Sequence, residues 1–330
     1  MRCILSVGFF LMGLLFLNLP VMAQCTSNCT FMGTTRFDDI ITKGPWIDVR
    51  AFGAVGDGVI DDTSAIQAAI DHGETVHGIV YFPPGSYKIT SRLIVKRNVD
   101  LVGTGVGFAS VLLPYGTDAV TIFGSDMPGG SGFRNVIKGL LINMTNAGGS
   151  RAIAIDSAYT IKIQDLMVYN AGSGGGISIA NAGHITVEDV SVYGLPTFSG
   201  TGVLVTEAEV NFYNPDIESF FHGLRINGAG VGTKSVHVHG GHFERNAAYG
   251  IRLEAGASYN TFTGVQIDGP ASGYPIGFWE SSHHNTFIGS RLRAQGSTSA
   301  YQDTATDRKN VLFNSQAQGA VTSGIQVQYP

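Results

Sequence analysis

Cysteine and charge are both scarce in this chain, and the sign of its few charges excludes two classes of binding partner. Only 3 of the 330 residues are cysteine, and only 14% are charged. With 20 Lys and Arg against 25 Asp and Glu, the chain has no basic excess to attract nucleic acid or an anionic membrane. Hydrophobic residues nevertheless make up 44% of the chain, which supplies a large core and argues against disorder.

The first 23 residues have the pattern of a secretory signal peptide. A positively charged start precedes an apolar stretch from Ile4 to Leu19, and Val21-Met22-Ala23 provides small residues at a cleavage site. We therefore expect a protein that is secreted, extracellular or periplasmic, and free of the membrane after cleavage. Residues 24–45 form an N-terminal extension in which Cys25 and Cys29 can make one local disulfide.

From about residue 150 the sequence repeats at irregular intervals. The repeat units open at Ala152, Gly176, Gly202, Gly223, Gly250 and Gly277. Within a unit, apolar and polar residues alternate with a period of two, as in Ile185-Thr186-Val187, which predicts short strands. Tight corners such as Gln164-Asp165 join the strands, whereas a sandwich or barrel would need hairpin turns. Short strands with one apolar face must stack on the next unit, so the pattern predicts a parallel β-helix.

A different segment precedes the repeats. Asp61-Asp62-Thr63-Ser64 offers helix caps, with Asp62 at the helix start, and Ala65 to Ile70 carries apolar residues at helical spacing. We expect one short amphipathic helix here. Because an open solenoid end would expose apolar interior to water, this helix is the candidate N-terminal cap.

These segments resemble a known family. Ile47 to Gly58, Asp61-Asp62-Thr63 and Val80 to Tyr87 look like the opening of pectate lyase superfamily proteins of the rhamnogalacturonase/epimerase-like group. The resemblance implies an all-β, right-handed, single-stranded parallel β-helix domain over residues 46–330. It also implies a secreted or virion-borne protein, monomeric or homotrimeric, that acts on polysaccharide. Within the motif, Gly53, Gly56 and Gly58 suit tight turns rather than catalysis.

The motifs of two familiar mechanisms are missing. Polygalacturonases of this fold carry a set of short motifs to which Arg225-Ile226-Asn227 and His239-Gly240-Gly241-His242 are only near matches. The Asp-His and Arg-x-Pro pattern of calcium-dependent pectate lyases is also absent from the sequence. Calcium therefore stays a possible cofactor that no motif supports, and we expect no metal site from His237, His239 and His242.

The predicted register gathers acids on one outward column. In a β-helix, equivalent residues of successive turns stack about 4.8 Å apart, and residues i and i+2 lie about 7 Å apart on one face. The last strand of each turn thereby collects our candidate catalytic residues: Asp216, Glu218, His242, Glu244 and Asp268. The first strand of the next turn and nearby aromatics supply the candidate substrate-binding residues: Arg225, Arg252, Glu254, Trp279, Tyr193 and Tyr213.

Two functions fit this pattern. The first is an enzyme that depolymerises an acidic polysaccharide in an outer groove. Paired carboxylates suit glycoside hydrolysis, while a base with cations suits β-elimination from a uronate. The second is a non-catalytic carbohydrate-binding or surface-structural β-helix, like a tailspike or an adhesin. In that case Glu218, Glu244 and Asp268 only form surface salt bridges with nearby arginines, namely Arg225, Arg245, Arg252 or Arg293.

Overall fold

The computed structural model describes residues 46–107, 109–124, 134–228, 235–269, 273–279, 281–294, 299–304, 309–318 and 326–328. The predicted signal peptide, the N-terminal extension and its two cysteines lie outside these residues. Among the described residues there is one α-helix, α1 (Thr63–Val76), and one 3-10 helix (Val49–Phe52), and the remaining regular structure is β-strand. No helix in this part of the chain is long and apolar enough to span a membrane.

The strands form three parallel ladders that follow one another around each turn. The first ladder is a nine-stranded sheet. Its strands are β5 (Leu93–Ile94), β8 (Val120–Phe123), β11 (Ile153–Asp156), β13 (Ile177–Ala180), β15 (Thr201–Thr206), β18 (His222–Asn227), β21 (Tyr249–Glu254), β24 (Tyr274–Phe278) and β27 (Tyr301–Asp303).

The second and third ladders together form a 21-stranded sheet. The second ladder contains β1 (Trp46–Asp48), β3 (Ile79–Tyr81), β6 (Asp100–Val102), β9 (Asn135–Lys138), the first halves of β12 (Ile161–Ala171) and β14 (Ile185–Gly194), β16 (Val210–Tyr213), β19 (Val236–His239), β22 (Thr261–Thr263), β25 (Thr286–Ile288), β28 (Val311–Phe313) and β30 (Gln326–Gln328).

The third ladder contains β2 (Asp57–Asp61), β4 (Gly85–Ile89), β7 (Ser110–Pro114), β10 (Leu141–Asn143), the second halves of β12 and β14, β17 (Asp216–Glu218), β20 (His242–Glu244), β23 (Gln266–Asp268), β26 (Arg291–Arg293) and β29 (Gln316–Gln318). Each strand pairs in parallel with its counterpart one turn away. The sequence prediction of a right-handed parallel β-helix is therefore confirmed.

Left-handed backbone marks the corner between the second and third ladders. Asp165, Asp189 and Asn214 occupy this corner with φ of 46°, 50° and 51°. In later turns Gly240 and Gly264 take the same position with φ of 67°. Asn, Asp and Gly are the residues that adopt this conformation at low cost, so the corner repeats in sequence as well as in space.

The predicted repeat register holds through Gly250 and is wrong at Gly277. The structure pairs Ile251 with Ile276 and Arg252 with Gly277, so the unit begins two residues earlier than predicted. Inward packing explains the difference. Aligning Gly277 with Gly250 would have assigned Glu280 to an inward position, whereas the observed register stacks apolar residues on apolar residues.

Helix α1 covers the interior near the start of the coil, as predicted. Its buried side chains are Ile66, Ala69 and Ile70. Asp62 is the N-cap residue of the helix, as predicted, but its side chain makes no cap hydrogen bond to the helix. Instead, its carboxylate accepts hydrogen bonds from the backbone N–H groups of Val55 and Gly56, at 2.6 and 3.0 Å. Asp62 thus holds the glycine-rich turn of the family motif.

A column of buried asparagines bonds three successive turns. The Asn285 side-chain oxygen accepts from Asn260 Nδ2 at 2.8 Å, and Asn285 Nδ2 donates to Asn310 Oδ1 at 2.9 Å. Asn285 Nδ2 also donates to the Ala257 carbonyl at 2.9 Å. All three amides are at most 1% exposed, so their polar groups depend on one another.

We predict that Asn285→Ala lowers the free energy of unfolding by about 2–4 kcal/mol, because it leaves buried donors and acceptors on two turns unsatisfied. Urea denaturation measures the change. Asn211→Ala, at an outward position of β16, is the matched control and should change stability by no more than about 0.5 kcal/mol. Equal losses in the two variants would contradict a structural role for the column.

Candidate functional site

The third ladder brings the predicted catalytic residues onto one outward face. Its register pairs Asp216 with His242 and Glu218 with Glu244 on adjoining strands. Asp268 lies on the next strand, β23. Because neighbouring strands are separated by about 4.8 Å, these five residues share a patch although the chain separates them widely.

Asp216 forms a hydrogen-bonded pair with Tyr193 of the preceding turn. The Tyr193 hydroxyl donates to Asp216 Oδ2 at 2.7 Å. Burial raises the pKa of Asp216, the Tyr193 bond opposes that rise, and neighbouring Glu218 adds to it. Burial and the bond to Asp216 also raise the pKa of Tyr193. Asp216 therefore keeps its proton to higher pH than an ordinary aspartate, and Tyr193 stays a proton donor at neutral pH.

The surroundings of one carboxyl oxygen of Asp216 agree with a raised pKa. Oδ1 is buried and has no hydrogen-bond partner among the described residues. Its neighbour Glu218 is also a carboxyl group, and two carboxyls can hydrogen-bond only when one of them carries a proton. The closeness of these two carboxyl groups is therefore a second reason, beside burial, why the pKa of Asp216 is raised.

Two of the predicted acids are neutralised by arginine. Glu218 is 7% exposed and forms an ion pair with Arg245. Asp268 Oδ2 lies 3.3 Å from Arg293 Nη1. These pairs match the salt-bridge alternative of the sequence analysis. By contrast, Glu244 is half-buried and has no hydrogen bond or ion pair with any residue that the structure describes.

Two open depressions follow this face and meet at His242. One, of about 280 Å³, is lined by Asp189, Ser191, Asn214, Pro215, Asp216 and His242. The other, of about 160 Å³, is lined by His242, Glu244, Gln266 and Asp268. We call the two depressions together the acid groove. The exposed imidazole of His242 can reach a ligand in either half.

The predicted substrate-binding residues on the first ladder form a separate cluster. Arg225 pairs with Arg252 across adjoining strands, and both make ion pairs with the buried carboxylate of Glu254. The Trp279 ring centroid lies 4.8 Å from Arg252 Cζ, and its ring meets that of Tyr249 edge-on at 6.2 Å. Trp279 points outward as predicted, but it is half-buried by these contacts rather than fully exposed.

Gly277 makes room for this cluster, which we call the arginine cluster: His222, Arg225, Tyr249, Arg252, Glu254 and Trp279. A Cβ at Gly277 would lie 2.7 Å from the Tyr249 ring and 3.0 Å from Trp279 Nε1. Any larger residue there would push the rings away from Arg252. Gly277, which the sequence analysis took as the start of a repeat unit, therefore has a local packing role.

Tyr213 is 43% exposed at the end of β16, next to the corner that leads to Asp216. Its ring stacks on His239 with centroids 5.1 Å apart. His239 and His242 are exposed and His237 is half-buried, in agreement with their predicted outward positions. Within the described part of the chain, no group of three or more His, Cys, Asp or Glu side chains is placed to hold a metal ion.

Sequence reasoning did not identify His222 or Tyr249. The period-two alternation assigns both to the inward set with Leu224 and Ile251, and both are mostly buried. They are the first residues of β18 and β21, and the structure brings both rings against Arg252. The one signal that could have indicated them is the succession of rings at the first residue of neighbouring strands in the first ladder, where His222 stacks on Tyr249 and Tyr249 on Tyr274.

The fold and these two clusters define a pectate-lyase-like parallel β-helix with polar, ionisable outer faces. A family model described as rhamnogalacturonase A/epimerase, pectate lyase-like, matches residues 46–274, and the chain belongs to this family. The family resemblance inferred from the N-terminal motif is thereby confirmed.

Curated relatives match only a short stretch. Mannuronan C5-epimerase AlgE2 and alginate lyase 7, both of Azotobacter vinelandii, are 44% identical over 79 residues, which is 22% of this chain. The match spans 8% and 9% of those two proteins. Among solved structures, the A-module of mannuronan C-5 epimerase AlgE4 from the same organism aligns with a TM-score of 0.63 at 20% identity. That alignment covers 86% of this chain and 91% of the module, and it shows a shared fold.

We predict that Asp216→Asn stabilises the protein near neutral pH. A carboxyl whose pKa is raised by folding favours the folded state at low pH and loses that benefit as pH rises through its folded pKa. The amide imitates the protonated acid, so the gain should appear near pH 7 and vanish below the ordinary aspartate range. Urea denaturation at both pH values measures it.

Asp189→Asn is the control, because Asp189 is exposed on the preceding turn of the same groove. As an exposed surface substitution, it should change the stability at neutral pH by no more than about 0.5 kcal/mol. A loss of stability in Asp216→Asn at neutral pH would contradict a raised pKa at this position.

Proposed function

We propose that this chain is a secreted enzyme that cleaves an acidic polysaccharide by β-elimination in the acid groove. The hydrogen-bonded pair of Tyr193 and Asp216 beside His242 carries this proposal. It places a phenol that stays protonated at neutral pH, a carboxyl with a raised pKa and an exposed imidazole on three successive turns, each one strand spacing from the next. The names of the short-range relatives, a mannuronan epimerase and an alginate lyase, favour a uronate polymer.

The proposed reaction uses these groups in order. An imidazole nitrogen of His242 takes the proton from the carbon next to the uronate carboxylate. The electrons of that bond form a carbon–carbon double bond, and the bond to the leaving glycosidic oxygen breaks. The Tyr193 hydroxyl gives its proton to that oxygen and recovers one from solvent, with the carboxyl of Asp216 as the relay. Solvent also removes the proton from His242.

The arginine cluster supplies the charge that such a substrate needs. Two guanidinium groups share one carboxylate, so the contacts of Arg225, Arg252 and Glu254 leave one positive charge in excess. The cluster lies on the first ladder, beyond the short corner that separates Glu218 from β18. A uronate carboxylate can pair with the arginines while the Trp279 ring contacts the face of a sugar.

Glycoside hydrolysis is the second candidate, and one observation favours it. Asp216 and Glu244 lie diagonally on adjoining strands, about 8 Å apart by strand geometry. This separation falls within the roughly 6.5–9.5 Å range of inverting glycosidases, with Asp216 as the acid and Glu244 as the base. Neither residue is paired with an arginine in the part of the chain that is described.

The experiment incubates the full chain with alginate, polygalacturonate and a neutral glucan. Ultraviolet absorbance detects unsaturated ends, reducing-sugar assays detect all cleavage, and a chelator arm tests calcium. We expect unsaturated products from an acidic polymer. Reducing ends without unsaturation would refute elimination in favour of hydrolysis, and binding without either product would favour the non-catalytic alternative.

We predict that Tyr193→Phe, Asp216→Asn and His242→Gln each lower the rate of cleavage by about 10²–10⁴-fold, the usual contribution of acid and base groups. Tyr259→Phe and His184→Gln are matched controls on exposed corners outside the groove and should retain full activity. Glu244→Gln discriminates between mechanisms, because it should abolish hydrolysis but leave elimination largely intact. Retained activity in His242→Gln would remove His242 as the base.

A further inference from the structure

His222 is a buried histidine that the proposed reaction does not use, and it contacts the arginine cluster directly. Arg252 Nη1 lies 3.1 Å from His222 Nε2. An arginine can only donate hydrogen bonds, so Nε2 must act as the acceptor and must carry no proton. The contact therefore requires a neutral imidazole with its proton on Nδ1.

The other contacts of Arg252 do not fix the orientation of the outer end of its guanidinium, and the contact with His222 does. Arg252 Nε lies 2.7 Å from Glu254 Oε2, in an ion pair that attracts the inner end of the guanidinium but lacks hydrogen-bond geometry. The rings of Tyr249 and Trp279 lie 5.6 and 4.8 Å from Cζ and confine the group without hydrogen-bonding it. Of the described partners, only His222 accepts from a terminal nitrogen and so fixes which way that end points.

The charged and titratable groups around His222 keep it neutral. Its own strand β18 carries Arg225. Of the two strands paired with β18, β21 carries Tyr249, Arg252 and Glu254, and β15 carries no titratable side chain; Tyr274 lies one strand further, on β24. Burial, followed by the charges of Arg252 and Arg225, lowers the pKa of His222 to about 4. At neutral pH the cluster thus keeps its acceptor, and its excess positive charge comes from the arginines alone.

We propose that His222 is a positioning residue: its Nε2 orients Arg252 so that Arg225 and Arg252 together bind one carboxylate group of an acidic sugar. This role rests on the proposed function only for the identity of the ligand. The orientation of Arg252 itself is a property of the free protein. Protonation of His222 would remove the acceptor and place two cations in contact, so Arg252 would turn away and carboxylate affinity would fall in acid.

Trp279 reports on Arg252 without any substrate. The chain has 2 tryptophans, and Trp46→Phe leaves Trp279 as the single one. Since Arg252 lies against the Trp279 ring, its departure should change Trp279 fluorescence. We expect a transition near pH 4 in the Trp46→Phe protein. His222→Gln places an acceptor that does not titrate near the same point and should remove that transition.

Binding tests the functional half of the inference. In the Asp216→Asn background, which prevents turnover, the affinity for a uronate oligosaccharide is measured at pH 7. His222→Phe, which keeps a ring but lacks the acceptor, should weaken binding about tenfold or more, and His222→Gln should restore most of it. His184→Phe is the control for a histidine outside the cluster, and circular dichroism verifies that each variant folds.

The outcomes separate the two proposals. A fluorescence transition that persists unchanged in His222→Gln, or equal affinities for His222→Phe and the parent, would overturn the positioning role. Uronate binding that depends on His222, without any cleavage, would refute the proposed enzyme and leave the positioning role standing. Cleavage that is independent of His222 would support the proposed enzyme and refute the positioning role.

Discussion

Each turn of the coil is bonded to the next by parallel main-chain hydrogen bonds, and that register decides which side chains become neighbours. Inside, it stacks Phe262 on Phe287 with centroids 4.3 Å apart and joins the buried amides of Asn260 and Asn285. Outside, the same register sets residues about 25 positions apart at one strand spacing. The ionisable clusters are therefore a consequence of how the core packs, and a shift of register would dissolve both.

Stacking like charges is costly, and the structure offsets the cost in two chemically different ways. Glu218 and Asp268 are neutralised by Arg245 and Arg293, just as Glu254 neutralises part of the arginine cluster. Asp216 has no arginine partner among the described residues, and its pKa rises instead. A carboxylate held in an ion pair with arginine is poorly suited to give or take a proton. A raised pKa leaves a carboxyl that keeps its proton to higher pH than an ordinary aspartate, and this distinguishes Asp216 from the acids beside it.

Sequence periodicity predicted the strands, the corners and the outward columns, because each depends on a local alternation or on a residue that tolerates left-handed backbone. It failed where packing between turns decides. The unit at Gly277 was shifted by two residues, since glycine there makes room for rings and does not mark the start of a repeat. The partners of Glu218 and the contact of His222 with Arg252 depend on how side chains cross between turns. Alternation contains no information about either.

The compensation of charge also bears on what the groove can accept. A groove of ionised acids would repel a uronate chain, which is itself an anion. Glu218 and Asp268 are paired with arginines, and the raised pKa of Asp216 lowers its tendency to ionise. Glu244 and the exposed Asp189 line the groove without an arginine partner among the residues described. The arginine cluster adds one positive charge beyond the corner at residues 219–221. A raised pKa at Asp216 therefore bears on both halves of the proposed function, because a carboxyl that keeps its proton to higher pH repels an anionic polymer less and has a proton to transfer.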